Sequence, residues 1–230
     1  MNEANFETFY ALDLDRTLID TERAIRVLSA AADSFDTSLG EAIRQQNQLY
    51  LERGESLPIF EFIINTAGRD VADQVREQFI EQAQVQGLLL LGAQAMIAFT
   101  QSQSSSATGI VTYGSKEGQE MKITAAGLNN VPHLVTHHQD KGTMFSSWQE
   151  SDGYHIPDEL GGGIARELVF VDDKSVSFKN FPAHDARGYL VTAAAVHEVI
   201  ELPPHVTVIR TLQDVIVAEQ AIDKTTTTMQ

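Results

Sequence analysis

Six short, mostly apolar runs recur along the chain, each cut off abruptly by polar residues, and their spacing restricts the fold more than any other feature. The first is Phe9-Tyr10-Ala11-Leu12, which ends in Asp13-Leu14-Asp15. Others lie at Gly109–Thr112, His133–Thr136 and Leu168–Val171, with weaker ones at Gly188–Val191 and Val206–Ile209. Short apolar runs bounded by polar residues suit strands buried on both faces of a parallel sheet. Helix-like stretches lie between most of them. This alternation predicts an α/β fold, a Rossmann-like doubly wound parallel sheet.

One connection is too long for a simple crossover. Roughly ninety residues separate Asp15 from the run at Gly109, where a crossover needs only a dozen or so. They read as helix throughout. Thr21-Glu22-Arg23 opens an apolar-periodic stretch reaching about Ala32, Ser38 and Glu41 have the spacing of a capping box, and Val71, Val75, Phe79 and Ile80 recur at helical intervals within 70–86. The segment 20–88 is therefore expected to be an inserted α-helical subdomain. The core is expected to comprise 1–19 and 89–224, with a helix at Ala93–Phe99 and a polar loop over 101–106. Residues 225–230, which include the run Thr225–Thr228, are expected to be a frayed tail.

Composition narrows the classes of function. The 230 residues are 43% hydrophobic and include no cysteine, so disulfides, thiolate metal sites and a thiol nucleophile are excluded. Sixteen basic residues against 32 acidic ones give a net charge of −16. So acidic a chain argues against partnership with nucleic acid or an anionic membrane. The first residues are acidic where a secretory signal would be basic and then apolar, and no run reaches the length of a membrane span. A soluble, cytoplasmic protein is the expectation. An anionic ligand would then require a local cation.

The chemistry-bearing residues stand where strands end. Asp13 and Asp15 follow the first run, and open α/β sheets bind ligands in the crevice beyond the carboxyl ends of their strands. The plainer reading is a pair of turn aspartates. Asp172-Asp173 stand after Leu168–Val171 in the same way, and could equally be a solvated turn. If the two strands are neighbours, several carboxylates converge and cannot all stay ionised without a cation. An oxygen-only cluster without nearby histidine or cysteine favours Mg²⁺. Thr112-Tyr113-Gly114 closes another strand with a hydroxyl and free amides that could cradle an anion. Lys141 precedes a predicted helix over 144–148 and could face the crevice, although most lysines are solvated.

Taken in order, Asp13-Leu14-Asp15-Arg16-Thr17-Leu18, Thr112, Lys141 and Asp172-Asp173 resemble the four motifs of the haloacid dehalogenase-like hydrolase superfamily. The resemblance spans about residues 8–210, and the helical insertion falls where that superfamily places its C1-type cap. Arg16 departs from the pattern, in which glycine is more common. Lys116 is an alternative to Lys141, but it follows the Thr112 strand closely. The resemblance implies that Asp13 is a nucleophile forming an aspartyl-phosphate. Asp15 would be the general acid and base, with its backbone carbonyl on the metal. Asp172 and Asp173 would complete the Mg²⁺ site with Asp13, while Thr112, the Tyr113 amide and Lys141 bind the phosphoryl group. Dehalogenase members are implied to lack the second aspartate, because a halide needs no proton. Asp15 therefore points to hydrolysis of a small organic phosphate monoester. The alternatives are a phosphotransferase or phosphomutase on the same core, and a non-catalytic phosphate-binding or regulatory protein. Two further features carry less. Strand alternation separates His138 from His133 and His137, against a zinc site. Gly161-Gly162-Gly163 lacks the strand-before, helix-after setting of a dinucleotide loop, and reads as a turn.

Overall fold

The computed structural model describes residues 4–192 and 201–228. Their elements run β1 (Asn5–Leu12), α1 (Thr21–Asp33), α2 (Leu39–Glu52), α3 (Ile59–Ala67), α4 (Arg69–Gln86), α5 (Ala93–Ser102), β2 (Ser106–Tyr113), α6 (Lys116–Ala125) and β3 (His133–Thr136). These are followed by α7 (Lys141–Trp148), β4 (Gln149–Glu150), β5 (Gly153–His155), β6 (Ile164–Asp172), β7 (Ala186–Val191), β8 (Val206–Ile209) and α8 (Leu212–Thr228). All six apolar runs are strands. They form one parallel sheet in the order β3-β2-β1-β6-β7-β8, a Rossmann-like α/β arrangement. No helix among the described residues is long and apolar enough to cross a membrane.

Both faces of the sheet are covered, which is why its strands read as continuous apolar runs. Along β1, Tyr10 and Leu12 pack into the layer shared with α5, α6 and α8, while Phe9 and Ala11 face the opposite layer around Phe145, Phe170 and Phe178. A short antiparallel hairpin, β4–β5, pairs with the beginning of β6. Strands of two and three residues leave no periodic signal, and this hairpin was not foreseen from the sequence. The three glycines at 161–163 form the turn leading into β6, all with positive φ.

Helices α1 to α4 pack on one another between β1 and β2, and α3 and α4 also rest on α6. The two chain segments that enter and leave this helical group are bonded together. The amide of Asp20 donates to the Leu88 carbonyl at 2.8 Å, and that of Leu90 to Leu18 at 2.9 Å.

Three local expectations are corrected. The capping box at Ser38 does not form: the Ser38 hydroxyl binds Asp36 instead, Glu41 pairs with Arg44 and Gln45, and Asp33 accepts the Gly40 amide at 2.9 Å. Earlier aspartates thus outcompete the serine for the helix entrance. The polar loop is shorter than expected, because α5 runs to Ser102 and β2 begins at Ser106. Thr225–Thr228 continue α8 as helix, and only 229–230 of the expected tail lie outside the described residues.

Helix α7 lies so close to the loop after β6 that residue 142 has no room for a side chain. A Cβ on Gly142 would run into the Lys179 carbonyl and sit 2.8 Å from the Phe181 amide nitrogen. Backbone atoms cannot swing aside. Gly142→Ala should therefore lower stability by about 1–3 kcal/mol, read as a lower urea midpoint with an unchanged slope.

Candidate functional site

The parallel register brings the strand ends together. Leu12 of β1 pairs with Val171 of β6, and the Asp13 amide donates to the Val171 carbonyl at 2.9 Å. Asp13 and Asp172 therefore emerge side by side. Just beyond, the chain folds back tightly: Leu14 accepts the amides of Leu18 and Ile19, and all three side chains are fully buried. Arg16 sits in this turn with φ +61°. That is a left-handed conformation which glycine adopts most easily, so it explains a preference for glycine at this position and not the arginine that stands here. The Arg16 side chain pairs with Glu22.

Asp13, Asp172 and Asp173 can present carboxylate oxygens within 4.8 Å of one another. Lys141, in the first turn of α7, is 2% exposed and bonds both Asp13 and, at 2.7 Å, Asp172. Asp140 caps that turn by accepting the Thr143 amide, fixing where Lys141 starts. The Phe170 ring lies 5.7 Å beneath the ammonium. Lys116, the alternative, is exposed and faces Glu120. Asp173 accepts no hydrogen bond among the described residues, and the cations that act on it are Lys174 and Arg16.

Crowding sets the protonation of the cluster. Burial, with Asp172 and Asp15 nearby, pushes Asp13 up to about 7 against the pull of Lys141. Burial, with Asp13 and Asp172 adding, pushes Asp173 up to about 8. Burial opposes the Lys141 ammonium, but Asp13 and Asp172 outweigh it and hold its pKa above the ordinary lysine value. One lysine thus leaves three carboxylates short of positive charge, the condition in which a divalent cation is favoured.

Asp15 stands apart. Its carboxylate accepts from Thr21 at 2.9 Å, from the Gln119 side-chain amide at 3.0 Å, and from Lys122. Burial alone would raise its pKa, but Lys122 and these hydrogen bonds lower it, so Asp15 is held ionised. Sequence reasoning missed all three partners. Gln119 and Lys122 are three apart on α6, the helix that opens directly after β2, so they share one face. That spacing was the available signal.

Thr112 and Tyr113 end β2 in the same crevice. The Thr112 hydroxyl is buried without a hydrogen-bond partner, and the Tyr113 carbonyl accepts from Gln119 at 2.8 Å. The seven residues singled out from the sequence thus converge, with Asp172 just behind the other six: Asp13, Asp15, Thr112, Tyr113, Lys141 and Asp173 all line one cavity between the sheet and the helical group. The histidines at 133, 137 and 138 take part in no metal-capable cluster among the described residues. Arg23 and Arg26 border a separate surface hollow, and Arg44 is engaged by Asp33 and Glu41.

No protein-family model matches the sequence, and neither does any curated protein. Solved structures do. A HAD hydrolase assignment, YfnB from Bacillus subtilis, solved bound to magnesium, superposes with a TM-score of 0.56 at 16% identity, covering 93% of this chain and 98% of its own. A protein from Thermotoga maritima assigned as a β-phosphoglucomutase gives 0.57 at 12% identity, covering 94% and 99%. The L-2-haloacid dehalogenase of Xanthobacter autotrophicus gives 0.50 at 15% identity, again covering 94% and 99%. These relatives differ in reaction while sharing the architecture, and the chain has the fold of the haloacid dehalogenase-like hydrolases.

Proposed function

We propose that the chain is a Mg²⁺-dependent phosphohydrolase of the haloacid dehalogenase-like type, acting on a small phosphate monoester through an aspartyl-phosphate on Asp13. The observation that carries this reading is the division of the four carboxylates. Three crowd together around Lys141, and the fourth, Asp15, faces the same cavity with partners of its own. A halide leaves without a proton, whereas an alkoxide leaving group requires an acid placed apart from the nucleophile.

The donor set of Asp13, Asp172 and Asp173 fits Mg²⁺, being oxygen-only and short of positive charge. Bound there, the ion would offset the repulsion between Asp13 and a phosphate dianion and stabilise charge on the phosphoryl oxygens. The remaining work falls to the chain. A carboxylate oxygen of Asp13 attacks phosphorus, and the bond from phosphorus to the ester oxygen breaks. Lys141 orients Asp13, and the unpartnered Thr112 hydroxyl donates to a phosphoryl oxygen. The departing alkoxide receives a proton that Asp15, itself ionised, relays from the Lys122 ammonium. Asp15 then takes a proton from water, whose oxygen attacks phosphorus, frees the Asp13 carboxylate and releases inorganic phosphate. The helical group over the crevice excludes bulk water from these steps.

Hydrolysis of an aryl phosphate is expected to require Mg²⁺ and to fall about a thousandfold or more in Asp13→Asn. Full activity in that variant would remove Asp13 from the reaction. Phosphoryl transfer to an added alcohol in place of water, read from the products, would instead identify a phosphotransferase.

The ionised state of Asp15 yields a second expectation. Lys122→Met removes the cation that lowers its pKa, so the limb of the pH profile that Asp15 governs should move upward. An unmoved profile would remove Lys122 from the control of Asp15.

A third expectation concerns stability without metal. Asp13 and Asp173 titrate in the folded protein near 7 and 8, above the ordinary 3.8. The folded state therefore keeps protons that the unfolded chain releases, and stability falls as pH rises from about 4 to about 8. Mg²⁺ at a hundredfold excess over its dissociation constant should restore roughly 5–10 °C in melting temperature. At one fixed Mg²⁺ concentration the gain should be larger at pH 8 than at pH 5, where protons compete for the carboxylates.

A further inference from the structure

The cavity that receives the carboxylates has two chemically different ends. Its floor, built from the strand ends, the turns after them and helices α6 and α7, carries every cation that lines it: Arg16, Lys122, Lys141 and Lys174. The helical group contributes Ile25, Leu28, Leu51, Leu57, Ile59 and Phe79, and from this side no lysine or arginine lines the space. Phe79 and Leu28 are almost wholly buried and close its inner wall. The polar contributions from these helices and their loops are Thr21, Asn47, Ser56 and the carboxylate of Glu55. Thr21 is already engaged with Asp15.

This asymmetry bears on the part of a substrate beyond its phosphate. Arg16 and Lys174 meet Leu51 and Glu55 in a neighbouring hollow, where Arg16 is paired with Glu22, so the cation-free part of the helical side is the inner wall at Leu28 and Phe79. A second anionic group placed against that inner wall would leave water for apolar side chains with no cation beside it, which is unfavourable. An uncharged hydrocarbon or aromatic body placed there gains by burial instead. Resting on the phosphohydrolase reading above, we infer that the substrate is a monophosphate ester of an uncharged, largely apolar alcohol, and that esters bearing a second anionic group are excluded. Asn47 provides one uncharged polar contact for such a body, as donor or acceptor.

The test compares benzyl phosphate with 4-carboxybenzyl phosphate, a pair with closely matched leaving groups that differ by one negative charge. Acetyl phosphate serves as the reference, since its leaving group is too small to reach the helical wall and it reports phosphoryl transfer to Asp13 alone. Acetyl phosphate should be hydrolysed by the Mg²⁺-loaded protein and not by Asp13→Asn. Benzyl phosphate should then exceed its carboxylate analogue in kcat/KM by about tenfold or more, the size expected when one charge goes unmet at an apolar wall. Acetyl phosphate turnover with equal or better use of the carboxylate ester, or with neither benzyl ester accepted, would overturn the substrate class and leave the phosphohydrolase reading standing. No Asp13-dependent turnover of acetyl phosphate would overturn both.

Discussion

The site depends on a repulsion. Parallel pairing of β1 with β6 in register places Asp13 beside Asp172, and the next residue adds a third carboxylate. Such crowding is unstable on its own. It is held by Lys141, which reaches the cluster from the first turn of α7 and bonds two of the three. That reach in turn depends on the close contact of Gly142 with the loop after β6, and on Asp140 capping the helix. One ammonium does not balance three carboxylates, and the remaining charge deficit is one that the proposed divalent cation would offset. In a chain with a net charge of −16, an anionic ligand at this cluster would need that added cation.

Asp15 shows the same physics resolved differently. Two residues after Asp13, it turns away from the cluster and toward α6, where Lys122, Gln119 and Thr21 satisfy it. Separating the two aspartates gives them different chemistry: Asp13 lies among like charges, whereas Asp15 is held ionised beside a cation. The helical group between β1 and β2 completes the enclosure. Its two connecting segments are hydrogen-bonded to each other at Asp20–Leu88 and Leu18–Leu90, directly after the turn that carries Asp13 and Asp15.

Much of this was legible in the sequence, and the misses share a cause. The strands could be read because burial on both faces demands uninterrupted apolar residues, and the crevice because Asp13, Asp15, Thr112, Asp172 and Asp173 stand where those runs stop. Lys122 left only the weak signal of its spacing from Gln119, since a lysine on a helix face looks the same whether it meets solvent or a carboxylate. The Ser38 capping box failed because Asp33 and Asp36 compete for the same groups. The β4–β5 hairpin exists only through its pairing with β6.

Local patterning thus settles the order of strands and helices, the position of the insertion and the identity of the strand-end carboxylates, because each depends on residues close together in the chain. The tertiary structure decided which strands are neighbours, and hence that Asp13 meets Asp172. It also selected Lys141 over Lys116, gave Asp15 its own lysine, and turned an apolar wall of the helical group toward the site. Those outcomes depend on register and on the rotation of helix faces, which bring together residues more than a hundred positions apart, as with Lys141 and Asp13.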